Sequence, residues 1–278
     1  MLIKDFIRNW CPPALLKQWK SFSDHDVIST LPQTNTFMGD YAKWDDAVRN
    51  STGYDAQNIL DRTLEATLKI RNGEAVFERD SVLLDRPEYP FFLIACLLYI
   101  ATNNENELSV LDFGGALGSS YFQCQRFLVS LKDLQWNVVE QKKHVDCGRQ
   151  YIEDNILRFY YTIDECLEHE KPDVIVLSGV LSIIEQPYDF IRKIISHRFQ
   201  SVIVDRQPLS SRETERLSVM TVPQEIYDAS FPCWCLSERK FREIWLSDYN
   251  LEAESEGAAL IVDGDVMQRK QFFFSHRK

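Results

Sequence analysis

The sequence has 278 residues, of which 45% are hydrophobic and 26% charged, enough for one large domain or one domain with a smaller cap. Its formal net charge is −11, whereas proteins that bind the nucleic-acid backbone usually present a basic face. Nucleic acid is therefore not an expected partner, and a small molecule or a glycan is favoured.

The seven cysteines are odd in number and scattered, which is typical of reduced thiols. Only Cys233 and Cys235 lie close together, and no histidine stands at the spacing of a zinc site, so no metal is expected. Charged residues interrupt the apolar ones in Met1–Trp10, and the longest apolar run, Pro90–Ala101, is too short to span a membrane. These features predict a cytoplasmic protein.

The apolar residues of segment 2–10 follow helical spacing. Because lysines and arginines lie nearby, residues 1–20 are able to make weak peripheral contact with a membrane surface. The favoured interpretation is that this face docks on the domain or on a second subunit, since many amphipathic helices simply face a core.

Residues 37–105 have mainly helical patterns, with helices predicted at Asp45–Asn50, Ala56–Ile70 and Pro90–Ile100. A polar link at 103–106 then marks a domain boundary. We therefore expect residues 1–105 to form an N-terminal helical cap and acceptor region, and residues 106–278 to form the cofactor-binding domain.

After residue 106, short β-rich runs alternate with helical stretches, which predicts an α/β fold with a parallel sheet and helices on both faces. The predicted strands are Ser109–Phe113, Trp136–Val139, Arg158–Tyr161, Val174–Leu177, Ser201–Val204, Leu251–Ser255 and Gln271–Ser275. The predicted helices are Ser120–Leu131, Val145–Asn155, Ile163–Glu170 and Tyr188–Ser196. The last two strands read as a hairpin, and Thr162 with Glu165 fits a capping box.

A glycine-rich turn follows the first of these strands, in the segment Asp112–Gly118 with the sequence DFGGALG. Glycines let the backbone turn sharply and approach a ligand closely, and the following helix start offers unpaired N–H groups. Asp112, Gly114, Gly115 and Gly118 are therefore candidate cofactor-binding residues.

A carboxylate stands at the end of the next strand, where Glu140 follows Trp136–Val139. An acid at this place can accept hydrogen bonds from both hydroxyls of a ribose. A plain glycine turn and a solvated glutamate are the alternative interpretation, which is weaker because the two signals occur together in the order of one site.

Two further strand ends carry candidate residues. Ser178 and Gly179 follow Val174–Leu177, and ligands of such sheets sit outside the carboxyl ends of the strands, so both are expected to face the cofactor. Asp205 and Arg206 follow the next strand and can position a substrate hydroxyl or an acidic group. A mutual ion pair is an equally good interpretation of these two residues.

S-adenosylmethionine fits these residues better than a nicotinamide dinucleotide. The carboxylate of Asp112 would repel a pyrophosphate, but it suits the cationic amino-acid end of S-adenosylmethionine. An NAD(P)-dependent sugar oxidoreductase is the first alternative, disfavoured because the G-x-G-x-x-G order and a Tyr-x-x-x-Lys pair are absent. A non-catalytic methyltransferase-like binding module is the second.

Longer stretches of the chain, over roughly residues 37–275, resemble a family of bacterial methyltransferases whose genes stand among those for surface polysaccharides, such as O-antigen clusters. The resemblance is carried by segments 39–41, 44–47, 73–76, 78–81, 112–120, 138–141, 177–181, 205–206 and 227–234.

This resemblance implies a class I Rossmann-like sheet of seven strands, S-adenosylmethionine as cofactor, and a sugar or other small molecule of surface-polysaccharide biosynthesis as the O-methylated acceptor. It carries over Asp112, Gly114, Gly118 and Glu140 as cofactor residues. The chain departs from the wider pattern D-x-G-x-G-x-G at Ala116, which stands where the middle glycine is expected.

Methylation of a hydroxyl requires a group that accepts its proton. Asp205 and Glu185 are the candidate bases, Arg206 is a candidate for positioning the substrate, and His144 and His197 are second choices.

Five aromatic residues are candidates for a sugar-binding platform, because aromatic rings provide apolar area and some carry a polar group. They are Tyr41, Trp44, Tyr227, Phe231 and Trp234. Ordinary core packing is at least as good an explanation for each of them.

Overall fold

A computed structural model describes residues 35–53, 57–223 and 229–277. The predicted amphipathic segment 1–20 and the candidate platform residue Tyr227 lie outside these residues. Within them, no helix is long and apolar enough to cross a membrane.

The chain alternates strands and helices over residues 107–210, as predicted. The strands are β1 Thr36–Met38, β2 Phe77–Arg79, β3 Val82–Leu84, β4 Glu107–Phe113, β5 Asp133–Val139, β6 Leu157–Tyr160, β7 Val174–Ser178, β8 Ser201–Ser210, β9 Arg216–Thr221, β10 Ser230–Ser237, β11 Tyr249–Val262 and β12 Asp265–His276. The helices are α1 Trp44–Arg49, α2 Gln57–Arg71, α3 Phe91–Thr102, α4 Ser119–Leu128, α5 Lys142–Tyr151, α6 Ile163–His169, α7 Pro187–His197 and α8 Glu238–Trp245, with a short 3₁₀ helix at Leu181–Ile183.

The central part of the main sheet is parallel, with the strands in the order β6-β5-β4-β7-β8. β12 pairs antiparallel with β8, and β11 pairs antiparallel with β12, which is the predicted hairpin. The α/β class is therefore confirmed, and each of the seven predicted strands forms. The chain passes from one side of β4 to the other between β6 and β7, so the switch point of the sheet lies between β4 and β7.

The prediction of a seven-stranded sheet is wrong in extent, because the main sheet has ten strands. β8 is ten residues long, and its far end at Leu209 and Ser210 pairs with β10. β10 pairs with β9, β9 with β1 and β1 with β11, so six strands close into a ring. The long strands β8, β11 and β12 extend past the parallel sheet, and ring closure pairs the edges that they would otherwise expose.

Two apolar cores lie on opposite faces of the parallel sheet. Successive residues of β4 divide between them, since Val110 belongs to the core under α3, α4 and α5, and Leu111 to the core under α6, α7 and α8. Strands that are buried on both faces carry near-continuous apolar runs, as β7 does with the sequence VIVLS. The ring has a separate small core that includes Phe37, Cys233 and Met267.

The segment before residue 106 is less helical than predicted. β1 belongs to the ring, and β2 and β3 form a hairpin whose two-residue turn has positive φ at Asp80 (+51°) and Ser81 (+67°). The domain boundary after residue 105 stays a prediction, while Asn35–Lys278 forms one compact unit.

The capping residue of α6 is the one predicted. Thr162 has an extended backbone and its side chain accepts a hydrogen bond from the Glu165 N–H at 3.0 Å. The Glu165 carboxylate accepts in turn from the Tyr161 N–H at 2.7 Å, one residue before the cap. The first of these bonds satisfies an N–H group that a helix start leaves unpaired.

Candidate cofactor and acceptor site

The loop after β4 has the backbone that its glycines predict. Gly114 and Gly118 have φ values of +74° and +91°. A Cβ at Gly114 would stand 2.7 Å from Val180 Cγ2, so this glycine lets the loops after β4 and β7 pack together. Ala116, where the wider pattern has glycine, keeps a left-handed φ of +50°. An L-residue adopts that conformation at a cost of about 1–2 kcal/mol.

Asp112 lies beneath this loop and is only 1% exposed. Its Oδ2 accepts a hydrogen bond from Trp136 Nε1 at 3.1 Å, whereas Oδ1 has no partner among the described residues. Burial raises the pKa of Asp112 to about 7, and the hydrogen bond from Trp136 offsets part of this rise. A buried carboxylate with one unsatisfied oxygen is costly, and a cationic or hydrogen-bonding ligand would satisfy it.

Glu140 is the first residue after β5 and lies beside the glycine loop. Phe113 and Val139 are partners in the parallel pair of β4 and β5, and the Gly114 N–H donates to the Val139 carbonyl at 2.9 Å. The Glu140 carboxylate is half-buried and accepts from the Gln141 N–H at 2.5 Å. The structure thus brings Asp112, the glycine loop and Glu140 together, as predicted.

The start of α4 completes this half of the site. Gly118 is its N-cap and no side chain caps the helix, so N–H groups of its first turn have no side-chain acceptor. Such groups can bind an anionic or polar ligand. Together with the Asp112 Oδ1 atom and Glu140, they fit the carboxylate, amino group and ribose of S-adenosylmethionine.

The loop after β7 faces the glycine loop from the other side of the switch point. Gly179 has φ +70°, and its N–H donates to the Asp205 carbonyl at 2.9 Å. Ser178 Oγ donates to Asp205 Oδ2 at 2.8 Å. We call the two loops, residues 114–118 and 178–180, the switch-point site.

Asp205 is buried, and both of its carboxylate oxygens have partners. Oδ2 accepts from Ser178, and Oδ1 accepts from Gln271 Nε2 at 2.6 Å. The guanidinium of Arg206 lies 3.8 Å away, so the predicted ion pair is present. The carboxylate therefore ties β7, β8 and β12 together at the switch-point site.

The β2–β3 hairpin approaches the same site, which the sequence did not reveal. Glu78 is buried and accepts from Ser119 Oγ at 2.6 Å, at the start of α4. Asp80 accepts two hydrogen bonds from Arg206 Nη1, at 3.0 and 3.2 Å. These two acids are two residues apart in the hairpin. Glu78 contacts the start of α4 and Asp80 contacts β8, so the hairpin bridges the two elements. In the sequence, segment 78–81 is distinguished only by the wider resemblance.

The remaining candidate bases lie in different surroundings. Glu185 is exposed on the turn between the 3₁₀ helix and α7. His144 is buried on α5, and His197 ends α7, where its Nε2 lies 3.8 Å from Asp164. Of these three residues, only Glu185 belongs to the loop that follows β7.

Three of the five predicted platform residues come together on the outside of the ring, whereas Phe231 is buried in a separate apolar cluster. Trp44 stacks on Trp234 with ring centroids 6.1 Å apart and an interplanar angle of 20°. Tyr41 joins them in a cluster with Ala47 and Leu217. Trp234 Nε1 is buried with no hydrogen-bond partner among the described residues.

No family model matches this sequence, and no curated protein matches it. Several solved structures are similar in fold. One is a SAM-dependent methyltransferase from Methanosarcina mazei, with a TM-score of 0.47 and 11% identity over 69% of this chain and 99% of that one. Another is the N-terminal domain of EvdMO1, crystallised in the presence of SAH and D-fucose. Its TM-score is 0.43, with 10% identity over 81% of this chain and 98% of that one. A third is magnesium protoporphyrin IX methyltransferase from Synechocystis PCC 6803 with bound SAM. Its TM-score is 0.41, with 12% identity over 84% of this chain and 91% of that one.

Proposed function

We propose that this protein is a class I methyltransferase that uses S-adenosylmethionine to methylate a small-molecule acceptor. The observation that carries the proposal is the buried Asp112 carboxylate, with one unsatisfied oxygen, beneath a left-handed glycine loop and beside Glu140. A pyrophosphate would meet a carboxylate here, so a dinucleotide is a poor fit, whereas a cationic amino acid joined to a ribose matches both acids.

The proposed cofactor residues lie at the ends of three strands. They are Asp112, Gly114, Gly115, Gly118, Glu140, Ser178 and Gly179. Asp112 would hold the amino group, the loop and the start of α4 would approach the carboxylate, and Glu140 would accept hydrogen bonds from the ribose hydroxyls. When bound, S-adenosylmethionine supplies an electrophilic methyl group on a sulfonium. The chain supplies alignment and excludes water.

The acceptor hydroxyl must also lose its proton, and Asp205 and Glu185 are the proposed bases. Asp205 would have to release the hydrogen bond from Ser178 to accept a proton on Oδ2. Glu185 is exposed and needs no such exchange. Arg206, next to Ser178, would position the acceptor rather than exchange a proton.

We further propose that the acceptor is a sugar or a related small molecule of surface-polysaccharide biosynthesis and that the enzyme is cytoplasmic. The resemblance of the chain to methyltransferases of such gene clusters supports this acceptor class. The cluster of Tyr41, Trp44 and Trp234 would supply the aromatic contacts to the sugar, with Tyr227 as a further proposed member.

The direct test is methyl transfer from radiolabelled S-adenosylmethionine to a set of nucleotide sugars and free sugars, with Asp112→Ala as the inactive control. Label in an acceptor, lost in the variant, would establish the activity. Oxidation of the same sugars with NAD(P), without methyl transfer, would replace the proposal with an oxidoreductase. Cofactor binding without transfer to any acceptor would favour a non-catalytic binding module.

A further inference from the structure

Arg206 occupies an unusual place in the sheet. On β8, Val204 pairs with Phe272 and Gln207 pairs with Lys270, so Asp205 and Arg206 together stand opposite Gln271. This is a β-bulge, and Arg206 has the left-handed φ of +55° that such a position normally gives to glycine. Bulges redirect side chains beside functional sites, and an arginine in this backbone indicates that its direction matters.

The bulge directs the guanidinium of Arg206 to the switch-point site. Its Nε donates to Ser178 Oγ at 3.3 Å and its Nη1 donates to both oxygens of Asp80. The side chain is still 37% exposed. A Cβ at Gly179 would stand 3.8 Å from Nη2, in ordinary contact, so the loop leaves room for this arginine.

A second arginine stands close to the first without a carboxylate of its own. Arg269 is half-buried on β12, opposite Pro208 of β8. It forms no hydrogen bond or ion pair with the residues that the structure describes. Burial, together with the charge of Arg206, lowers the pKa of Arg269. Arg269 pairs with β8 two positions beyond Arg206, and its charge acts on both Arg206 and Asp80.

Asp80 is the weakly held member of this group. It stands in the two-residue turn of the β2–β3 hairpin, and its side chain is 62% exposed. Arg206 is its hydrogen-bond partner within the described part of the chain. Rotation of the exposed Asp80 side chain can therefore release the carboxylate without disturbing the apolar cores.

We propose that Arg206 and Arg269 form a binding site for an anionic group of the acceptor, and that Asp80 occupies this site in the free protein. The planar guanidinium of arginine binds phosphate and carboxylate alike, with two parallel hydrogen bonds. A protein with a net charge of −11 repels anions in general, so an anionic acceptor needs such a local basic site. The assignment of the anion to the acceptor rests on the proposed function.

The test uses inorganic phosphate and acetate as probes, titrated by calorimetry at constant ionic strength set with chloride. Four full-length proteins are compared: the wild type, Asp80→Asn, the double variant Asp80→Asn with Arg206→Gln, and Asp189→Asn as the matched control. Asp189 forms an exposed ion pair with Arg192 on α7 at 2.6 Å, so this control removes an equivalent surface charge elsewhere.

Asp80→Asn removes the internal competitor. We therefore expect this variant to bind phosphate or acetate at least tenfold more tightly than the wild-type protein does. The double variant should lose this gain, and Asp189→Asn should behave as the unchanged protein. A gain for phosphate alone would identify a phosphorylated acceptor, and a gain for acetate alone a carboxylate. Equal affinities of Asp80→Asn and the double variant, or no gain over the wild-type protein, would overturn the proposal.

Titration of S-adenosylhomocysteine into the same samples separates this proposal from the proposed function. Binding of S-adenosylhomocysteine without an anion gain would leave the methyltransferase proposal standing and remove the anion site. An anion gain that depends on Arg206, without any binding of S-adenosylhomocysteine, would establish the site and remove its assignment to a methyl acceptor.

Discussion

The carboxyl group of Asp112 lies directly against Gly115, where a Cβ atom would stand 2.6 Å from Asp112 Oδ2. Gly115 is therefore required by space and not by backbone conformation, unlike Gly114 and Gly118 with their positive φ. The loop and the buried acid beneath it form one unit, and a change in either should alter the other.

Gly115→Ala should lower the free energy of unfolding by about 1–3 kcal/mol, because the added methyl group displaces the Asp112 carboxyl in a tightly packed place. The displacement should also weaken the binding of S-adenosylhomocysteine at least tenfold. Chemical denaturation and calorimetry measure the two effects.

Gly257→Ala is the matched control, since a Cβ there would stand 3.5 Å from Arg269 Cβ, in ordinary contact. It should leave both quantities nearly unchanged. If Gly115→Ala behaves like Gly257→Ala, the packing of Asp112 beneath the loop does not determine the cofactor site.

The raised pKa of Asp112 predicts a specific dependence of stability on pH. This carboxyl ionises near pH 4 in the unfolded chain and near pH 7 in the folded protein, so between these values the folded state binds more protons. The contribution of Asp112 to the free energy of unfolding should therefore fall as pH rises from about 4 to about 7, by roughly a few kcal/mol. Denaturation at several pH values measures this fall.

Asp112→Asn keeps the shape of the neutral acid and cannot ionise. The contributions of all other carboxyl groups to the pH dependence of stability therefore cancel when the variant is compared with the wild-type protein. The wild-type protein should lose stability relative to the variant as pH rises through this window. Parallel stability curves would contradict the raised pKa.

Glu140→Gln should weaken the binding of S-adenosylhomocysteine by about tenfold or more, because hydrogen bonds to a charged acceptor contribute about 1.5–3 kcal/mol. Its stability should change little, since the carboxylate is half-buried at the end of β5. Calorimetry gives the affinity, with Glu168→Gln, an exposed carboxylate on α6, as the control. An unchanged affinity would mean that Glu140 does not contact the ribose.

Asp205→Asn should destabilise the fold by about 1–3 kcal/mol, because the amide N–H₂ would face one of the two donors, Ser178 Oγ or Gln271 Nε2. The exposed Asp189→Asn change should cost less than about 1 kcal/mol. Thermal and chemical denaturation make the comparison. Unchanged stability together with lost methyl transfer would instead assign Asp205 to proton transfer alone.

The sequence allowed prediction where local patterns decide the structure. A few neighbouring residues are enough to predict the buried apolar strands β4 and β7. The same is true of the glycine loop between β4 and α4. The meeting of Asp112 with Glu140 follows from the parallel pairing of β4 and β5, because the ends of parallel strands lie at one edge of the sheet.

Three strands of the ring, β1, β9 and β10, escaped prediction for physical reasons. β10 carries Pro232, which argues against a strand, but this proline lies in the part of β10 that pairs with β9 alone. β1 has three residues, too few for a periodic pattern, and its partners lie far away in the sequence.

The contacts between the β2–β3 hairpin and Arg206 also depend on residues that are far apart in the sequence. The hydrogen bonds between Asp80 and Arg206 join residues 126 positions apart, so no local motif announces them. The bulge that directs Arg206 appears only when β8 and β12 pair. Sequence patterns therefore predicted the meeting of Asp112, the glycine loop and Glu140 better than the contacts of Arg206.

Calorimetry with S-adenosylmethionine, S-adenosylhomocysteine and NAD in parallel, with Asp112→Ala as control, tests the central claim most directly. We predict binding of both adenosyl sulfur compounds with dissociation constants on the order of micromolar. That binding should be lost in the folded Asp112→Ala variant, and NAD should not bind. Absence of binding by both compounds, or binding of NAD alone, would contradict the proposed cofactor and the methyltransferase function with it.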